Sequence, residues 1–298
     1  MNSKVQSLKA FLAGQGRIAL VEVAGTKGST PREKGAFMLV SRAAIFGTIG
    51  GGQLEYMAID KARQMLLSSP RGRDSHIEVG EVCATLDVPL GPEIGQCCGG
   101  RVEVLIRRVD TELAAELIAA AEAEEAHLPR VYIFGGGHVG QALASTIALL
   151  PVHGVVIETR AEALEGMPET IVTRLTPMPE AEVRNAPAGS AFAILTHDHA
   201  LDFLIVAEAL KRNDTAYVGV IGSKTKKATF RNWFLKSADG SEAQFARLVS
   251  PIGGDAVKDK RPQVIAALAA AEIMTALVAH TAASNADHQA PRDKVTAG

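Results

Sequence analysis

Apolar positions along the chain change period several times, and each change marks an element. Residues 3–13 carry helical spacing, after which "RIALVEVA" (17–24), "AFMLV" (36–40) and "AAIFG" (43–47) read as short strands between glycine-rich turns. "QLEYMAIDKARQMLL" (53–67) returns to helical spacing, with Leu54, Met57, Ala58, Met65 and Leu66 as its apolar set. Further strands are predicted at "HIEVGEV" (76–82) and "RVEVLI" (101–106), which completes an α+β module over residues 1–110. "TELAAELIAAAEAEEA" is alanine- and glutamate-rich and is followed by Pro129, so 111–128 is expected to be a helical linker.

From residue 129 the pattern becomes regular. The runs "VYIFGGG", "GVVIET", "TIVTRL", "AFAILTHD" and "AYVGVIGS" alternate with helical stretches, the signature of a doubly wound parallel sheet. A last helix is expected to begin at Pro262, a favoured first helical position, and the polar tail 282–298 to be disordered. The fold class predicted is therefore α/β: an N-terminal α+β domain, then a Rossmann-like domain over 129–281.

Composition narrows the functional classes. A net charge of −2 with both signs mixed leaves no basic excess for nucleic acid. Lys9, Gln15 and Arg17 interrupt the N-terminal apolar residues, unlike a secretion signal, and a cytoplasmic location is expected. The long apolar stretch "QVIAALAAAEIMTALVAH" carries Glu272 at its centre, which suits a buried helix better than a membrane span.

Gly135, Gly137 and Gly140 of "VYIFGGGHVGQALA" fit G-x-G-x-x-G between a strand and a helix. In that context the glycines permit a tight turn, close approach of a pyrophosphate and helix–strand packing, and the helix N-terminus at His138 attracts negative charge. Glu158 stands where an acid binds ribose, and Arg160 leaves a phosphorylated ribose open, so NAD and NADP are not separated. A loop kept only for packing is the alternative. In "LTHDHALD", His197, Asp198 and His199 fall at the strand edge where ligands bind, with Asp198 equally placed to cap the next helix. Lys224, Lys226 and Lys227 either form a solvated face or meet an anion.

Two adjacent cysteines, Cys97 and Cys98 in "GQCCGG", allow several chemistries. Neighbouring Cα atoms are about 3.8 Å apart, whereas a relaxed disulfide needs roughly 4.4 to 6.8 Å, so a bond between them is strained. His76, Cys83, Cys97 and Cys98 form a conceivable zinc set, but without C-x₂₋₄-C spacing. A reactive or soft-ligand thiol fits the flanking glycines and Arg101, and two buried core cysteines remain a further reading. Two other loops are comparably specialised, "GSTPREKG" with Ser29, Thr30 and Arg32 and "GTIGGGQLE" with Gly50, Gly51, Gly52 and Glu55; each is either an ordinary hairpin turn and helix start or, with the cysteine loop, part of a site facing a phosphorylated, soft-metal ligand.

Taken in order, "GSTPREKGAFMLV", "GTIGGGQLE", "GQCCGGRVEVL", "VYIFGGGHVGQALA", "LTHDHALD", "YVGVIGSKTK" and "SPIGG" resemble the xanthine dehydrogenase accessory protein family, the XdhC/CoxI group. The resemblance implies an accessory protein, not a turnover enzyme. Such a chaperone binds the molybdenum cofactor (Mo-molybdopterin), holds it while a cysteine desulfurase supplies sulfur, and inserts it into apo xanthine dehydrogenase. It also implies a homodimer, and a cofactor site that includes Gln96, Cys97, Cys98, Gly99 and Gly100. Thiolates are soft ligands, which agrees with a molybdenum contact through Cys97 or Cys98. Gln53 stands where some relatives carry a further cysteine. The reading from a different class is an NAD(P)-dependent oxidoreductase using the Rossmann-like loop, although no general acid stands beside that loop except His138 within it.

Overall fold

The computed structural model describes residues 4–67, 83–90 and 99–289. The chain forms two compact units, Asn2–Ala126 and His127–Gly298.

In the first unit, α1 (Lys4–Gly14) leads into β1 (Ile18–Lys27), β2 (Phe37–Ser41) and β3 (Ile45–Gly47), then α2 (Gly52–Leu67), β4 (Cys83–Pro89), β5 (Arg101–Arg108) and α3 (Thr111–Ala126). The described strands form one antiparallel sheet in the order β3-β2-β1-β5-β4. Side chains alternate across a strand, so β1 feeds two cores. Ala19, Val21 and Val23 join Met38, Val40, Val102, Val104 and Ile106 under the apolar face of α2. Ile18, Leu20 and Leu39 face Val5 and Leu8 of α1 and Leu113, Leu117 and Ala121 of α3.

Several expectations change here. Helix α2 buries Leu54, Ala58, Ile59, Ala62, Met65 and Leu66, but Met57 is exposed. The stretch 76–82, expected as a strand, lies outside the described residues, and β4 begins just after it. Ala84, Leu86 and Val88 carry the inward alternation of that strand. The helix expected as a linker is α3, and it belongs to the first unit, where Lys4–Glu124 and Lys9–Glu122 ion pairs join it to α1.

The second unit runs β6 (Arg130–Phe134), α4 (His138–Ile147), β7 (His153–Glu158), a 3₁₀ turn (Ala161–Leu164), β8 (Val172–Leu175), α5 (Pro179–Asn185), β9 (Ala191–Ile194), α6 (His199–Lys211), β10 (Tyr217–Val220), α7 (Lys224–Ser237), α8 (Glu242–Phe245), β11 (Leu248–Val249) and α9 (Pro262–Gln289). All strand pairs are parallel, in the order β11-β10-β9-β6-β7-β8. Counted from β6 this is the doubly wound order 3-2-1-4-5-6, whose topological switch lies between β6 and β9. Tyr132, Phe134, Phe192 and Ile194 face α5, α6 and α7, while Val131, Ile133, Ala191 and Ala193 face α4 and α9.

Helix α9 starts at Pro262 and continues through the expected tail as far as Gln289; residues 290–298 lie outside the described ones. Among the described residues, Pro262–Ser284 is the one helical segment long and apolar enough to cross a membrane. Ala266, Ala269, Ala270, Ile273 and Leu277 of this helix pack into the core, and Glu272 accepts a hydrogen bond from the Tyr217 hydroxyl.

Candidate functional site

Each unit gathers its specialised residues at one edge of its sheet. In the first unit the pairings Lys27–Arg101 and Pro89–Arg101 bring the ends of β1, β4 and β5 together. Leu90 N donates to Gly100 O at 2.7 Å, closing the base of the hairpin loop whose residues 91–98 lie outside the described ones. Gln96, Cys97 and Cys98 fall in that stretch, so no position is described for them, nor for His76.

What surrounds the hairpin base is well defined. A Cβ on Gly100 would sit 2.1 Å from Ser29 O and 2.7 Å from Lys27 O, so this loop and the Gly28–Arg32 turn touch through backbone that only glycine admits. At Gly50, where φ is +126°, a Cβ would lie 2.7 Å from the Pro31 ring. The loop after β3 is thus packed on the same turn, which Thr30 stiffens by donating from Oγ1 to Arg32 O at 3.0 Å. Three loops that are distant in sequence therefore meet, with Ser29, Arg32, Gly50 and Gly99 exposed among them.

Glu55 takes a different place from the ligand-facing one expected. Its Oε2 accepts from Thr48 Oγ1 at 2.5 Å, from Ile49 N at 3.0 Å and from Gly51 N at 3.0 Å. Burial pushes this carboxyl up, but the Thr48 hydroxyl and the backbone donors of Gly51, Ile49 and Gly50 hold it below its ordinary value. The loop's inward donors thus already enclose an anion, and Lys27, Arg32 and Lys34 of the neighbouring segment are exposed. Arg101 pairs with Asp87 at 3.0 Å.

In the second unit the edge is formed by the carboxyl ends of β6, β7, β9 and β10. A Cβ on Gly135 would meet Leu195 O at 2.6 Å, and one on Gly140 would meet Gly135 O at 1.9 Å, so both glycines are demanded by packing. Gly137 differs: a Cβ there meets nothing within 4 Å, and its φ of −69° suits any residue. No contact among the described residues explains this glycine, and it leads into α4, whose N-terminus has no side-chain cap. That open face is what close approach of a phosphate requires.

Glu158 is 4% exposed and enclosed by donors. Gly136 N lies 2.9 Å and Arg160 Nη2 3.2 Å from Oε2. Oε1 accepts from Thr159 N at 2.8 Å and Oγ1 at 3.2 Å, and from Arg160 N at 3.2 Å and Nε at 3.4 Å. Burial alone pushes this carboxyl up; the Arg160 guanidinium and the N–H groups of Gly136 and Thr159 outweigh it and bring the pKa from 4.5 to about 2. Because the folded value lies below the unfolded one, the Glu158 contribution to stability is complete above about pH 5 and is lost as pH falls through 2. In urea titrations between pH 6 and pH 2, Glu158→Gln is expected to flatten the acid-side loss of stability. An unchanged slope would count against this assignment.

Asp198 is the N-cap of α6, accepting from Ala200 N at 2.8 Å. His138, His197 and His199 are exposed. Among the described residues no three His, Cys, Asp or Glu side chains converge to hold a metal. Of the three lysines, Lys224 is exposed, Lys227 lies over the Phe245 ring at 5.8 Å, and Lys226 is only 9% exposed. Lys226 forms neither the solvated face nor the anion contact expected of it: it pairs with Asp202, which is fully buried, and donates to Ile221 O at 3.0 Å. Asp202 also accepts from Thr196 N at 3.1 Å and Oγ1 at 2.7 Å. Sequence reading missed this network, whose sole signal is an acid in the first turn of α6.

Comparison with known proteins follows the same division. Residues 131–273 match the family model described as the XdhC Rossmann domain, and residues 11–76 match that of the XdhC and CoxI family. A relative from Escherichia coli (strain K12), named "Uncharacterized protein YqeB", is 27% identical over 265 residues, covering 86% of this chain and 43% of its own length. The chain therefore spans less than half of that relative. A crystal structure described as that of a xanthine dehydrogenase from Bacillus halodurans shares the fold with a TM-score of 0.73 at 17% identity, over 93% of this chain and 96% of that one. With both of its domain models matched in order, the chain belongs to the XdhC and CoxI family.

Proposed function

We propose that the protein serves the maturation of xanthine dehydrogenase by binding the molybdenum cofactor, holding it for sulfuration and passing it to the apoenzyme. The observation that carries this reading is the meeting of the Gly28–Arg32, Thr48–Gly52 and Gly99–Gly100 segments at one sheet edge. The chain segment bearing Cys97 and Cys98 leaves and returns at that same edge, between Leu90 and Gly99.

The residues present fit the chemical character of such a ligand. Arg32, with five donors and no acceptor, suits a terminal phosphate, and exposed Lys27 and Lys34 add positive charge. Glu55 does not contact the ligand in this reading; it keeps the Thr48–Gly52 loop in shape. Cys97 or Cys98 supplies the soft contact. When bound, the cofactor brings the molybdenum centre whose terminal sulfur the enzyme needs. The partners in this proposal are a cysteine desulfurase, apo xanthine dehydrogenase and a second copy of the chain, in the cytoplasm. Family membership and the likeness to the Bacillus halodurans protein, itself described as a xanthine dehydrogenase, support the choice of client.

Mass spectrometry of the small molecules released when freshly purified protein is denatured tests the reading. A pterin dithiolene, with molybdenum found by elemental analysis, is the expected result. Protein purified from molybdate-supplied, cofactor-producing cells without any pterin would overturn it.

A further inference from the structure

Glu158 stands at the carboxyl end of β7, where a doubly wound nucleotide-binding domain places the acid that accepts hydrogen bonds from a ribose diol. A diol there needs a free acceptor. A carboxylate offers about four lone-pair sites. The Glu158 carboxylate already receives six donors, from Gly136, Thr159 and Arg160. It is also buried, so a ribose hydroxyl can reach it only by displacing Arg160.

Arg160 changes what the position can recognise. Its Nε and Nη2 are fixed on Glu158, while its side chain remains 41% exposed and Nη1 makes no hydrogen bond to the described residues. A guanidinium only donates, and its planar fork matches the acceptor oxygens of a phosphate monoester. Pinning the side chain on Glu158 also removes much of the rotamer freedom that a binding event would otherwise have to suppress. Exposed Glu162 is the other acid near Arg160, and solvent screens it. The rest of the crevice has the features a dinucleotide needs: the β6–β9 switch point, the uncapped N-terminus of α4 and the open face of Gly137.

We infer that the crevice of the second unit takes a nucleotide whose ribose carries a phosphate, an NADP(H)-class ligand, and that Arg160 sets this preference over NAD(H). The inference concerns the second unit alone and stands apart from cofactor binding by the first.

Isothermal titration of the full chain with NADPH and with NADH, supported by 2′-AMP and 5′-AMP as small probes, decides it. NADPH is expected to bind at least about tenfold more tightly than NADH, and 2′-AMP more tightly than 5′-AMP, equivalent to about 1.4 kcal/mol or more. In Arg160→Ala the preference should collapse, with NADPH weakened and NADH strengthened as Glu158 is released; Arg160→Lys should keep part of it. Equal affinities in the wild type, no binding of either dinucleotide at millimolar concentration, or a preference that survives Arg160→Ala would each overturn the inference. The wild-type comparison decides the matter even if a variant fails to fold. Pterin content does not enter this measurement, so its outcome is independent of the first unit's proposed function.

Discussion

Asp202→Ala is expected to lower the stability of the second unit by about 3–5 kcal/mol, the cost of leaving a buried charge without its partner. Asp202 is 0% exposed, and its carboxylate ties Thr196, at the end of β9, to Lys226 in the first turn of α7. Lys226 has one further partner, Ile221 O, so the variant leaves an ammonium group nearly excluded from water with a single carbonyl. Domain stabilities are commonly about 5–15 kcal/mol, so this loss is a large share of the whole. Replacing both partners by apolar side chains, as in Asp202→Leu/Lys226→Met, removes the stranded charge and should recover much of the stability. Chemical denaturation of the three proteins gives the comparison. A single variant within about 1 kcal/mol of wild type, the net worth of one ordinary hydrogen bond, would show that the pair is not what holds these strand ends together.

The Cys97→Ala/Cys98→Ala double variant is expected to lose the molybdenum cofactor on purification, with affinity reduced at least about tenfold, or 1.4 kcal/mol. Alanine removes the soft sulfur donors and leaves a methyl group that coordinates nothing. Cys83→Ala is the matched control. Cys83 pairs with Arg107 at the start of β4, six residues up the strand from Pro89, which is roughly 20 Å at the usual rise per residue. Its removal should leave retention unchanged. Full retention by the double variant, with circular dichroism like that of wild type, would remove the cysteine pair from the site. Equal loss in Cys83→Ala would instead point to a general effect of thiol removal.

How far the sequence discloses this molecule depends on the range of the interactions. The parallel sheet is legible because "VYIF", "GVVIE" and "AFAI" are buried on both faces and so appear as unbroken apolar runs. The role of α3 is not, since an alanine-rich helix shows little contrast between its faces, and nothing marks Leu113, Leu117 and Ala121 as the side that meets α1. The glycine motifs announce tight loops, but not that Gly100 must accommodate Ser29 O, a contact spanning most of the first unit. Glu158 and Arg160 are visible as neighbours in sequence, yet the sixfold enclosure of the carboxylate depends on Gly136 arriving from the adjacent strand. Asp202 and Lys226 are 24 residues apart, and only the crossover from β9 to β10 through α6 brings them together.

The inward-turned carboxylate of Glu55 bears on how the carrier proposed above would let go of its cargo. A cradle whose backbone donors all awaited an external anion would hold a phosphate tenaciously, which suits storage. Here the Thr48 hydroxyl and the N–H groups of Ile49 and Gly51 are engaged from within, so the form of the loop does not depend on an external anion. Departure of a cargo would then leave these donors satisfied. A carrier built this way would stay shaped for its next load, with no refolding cost at that edge.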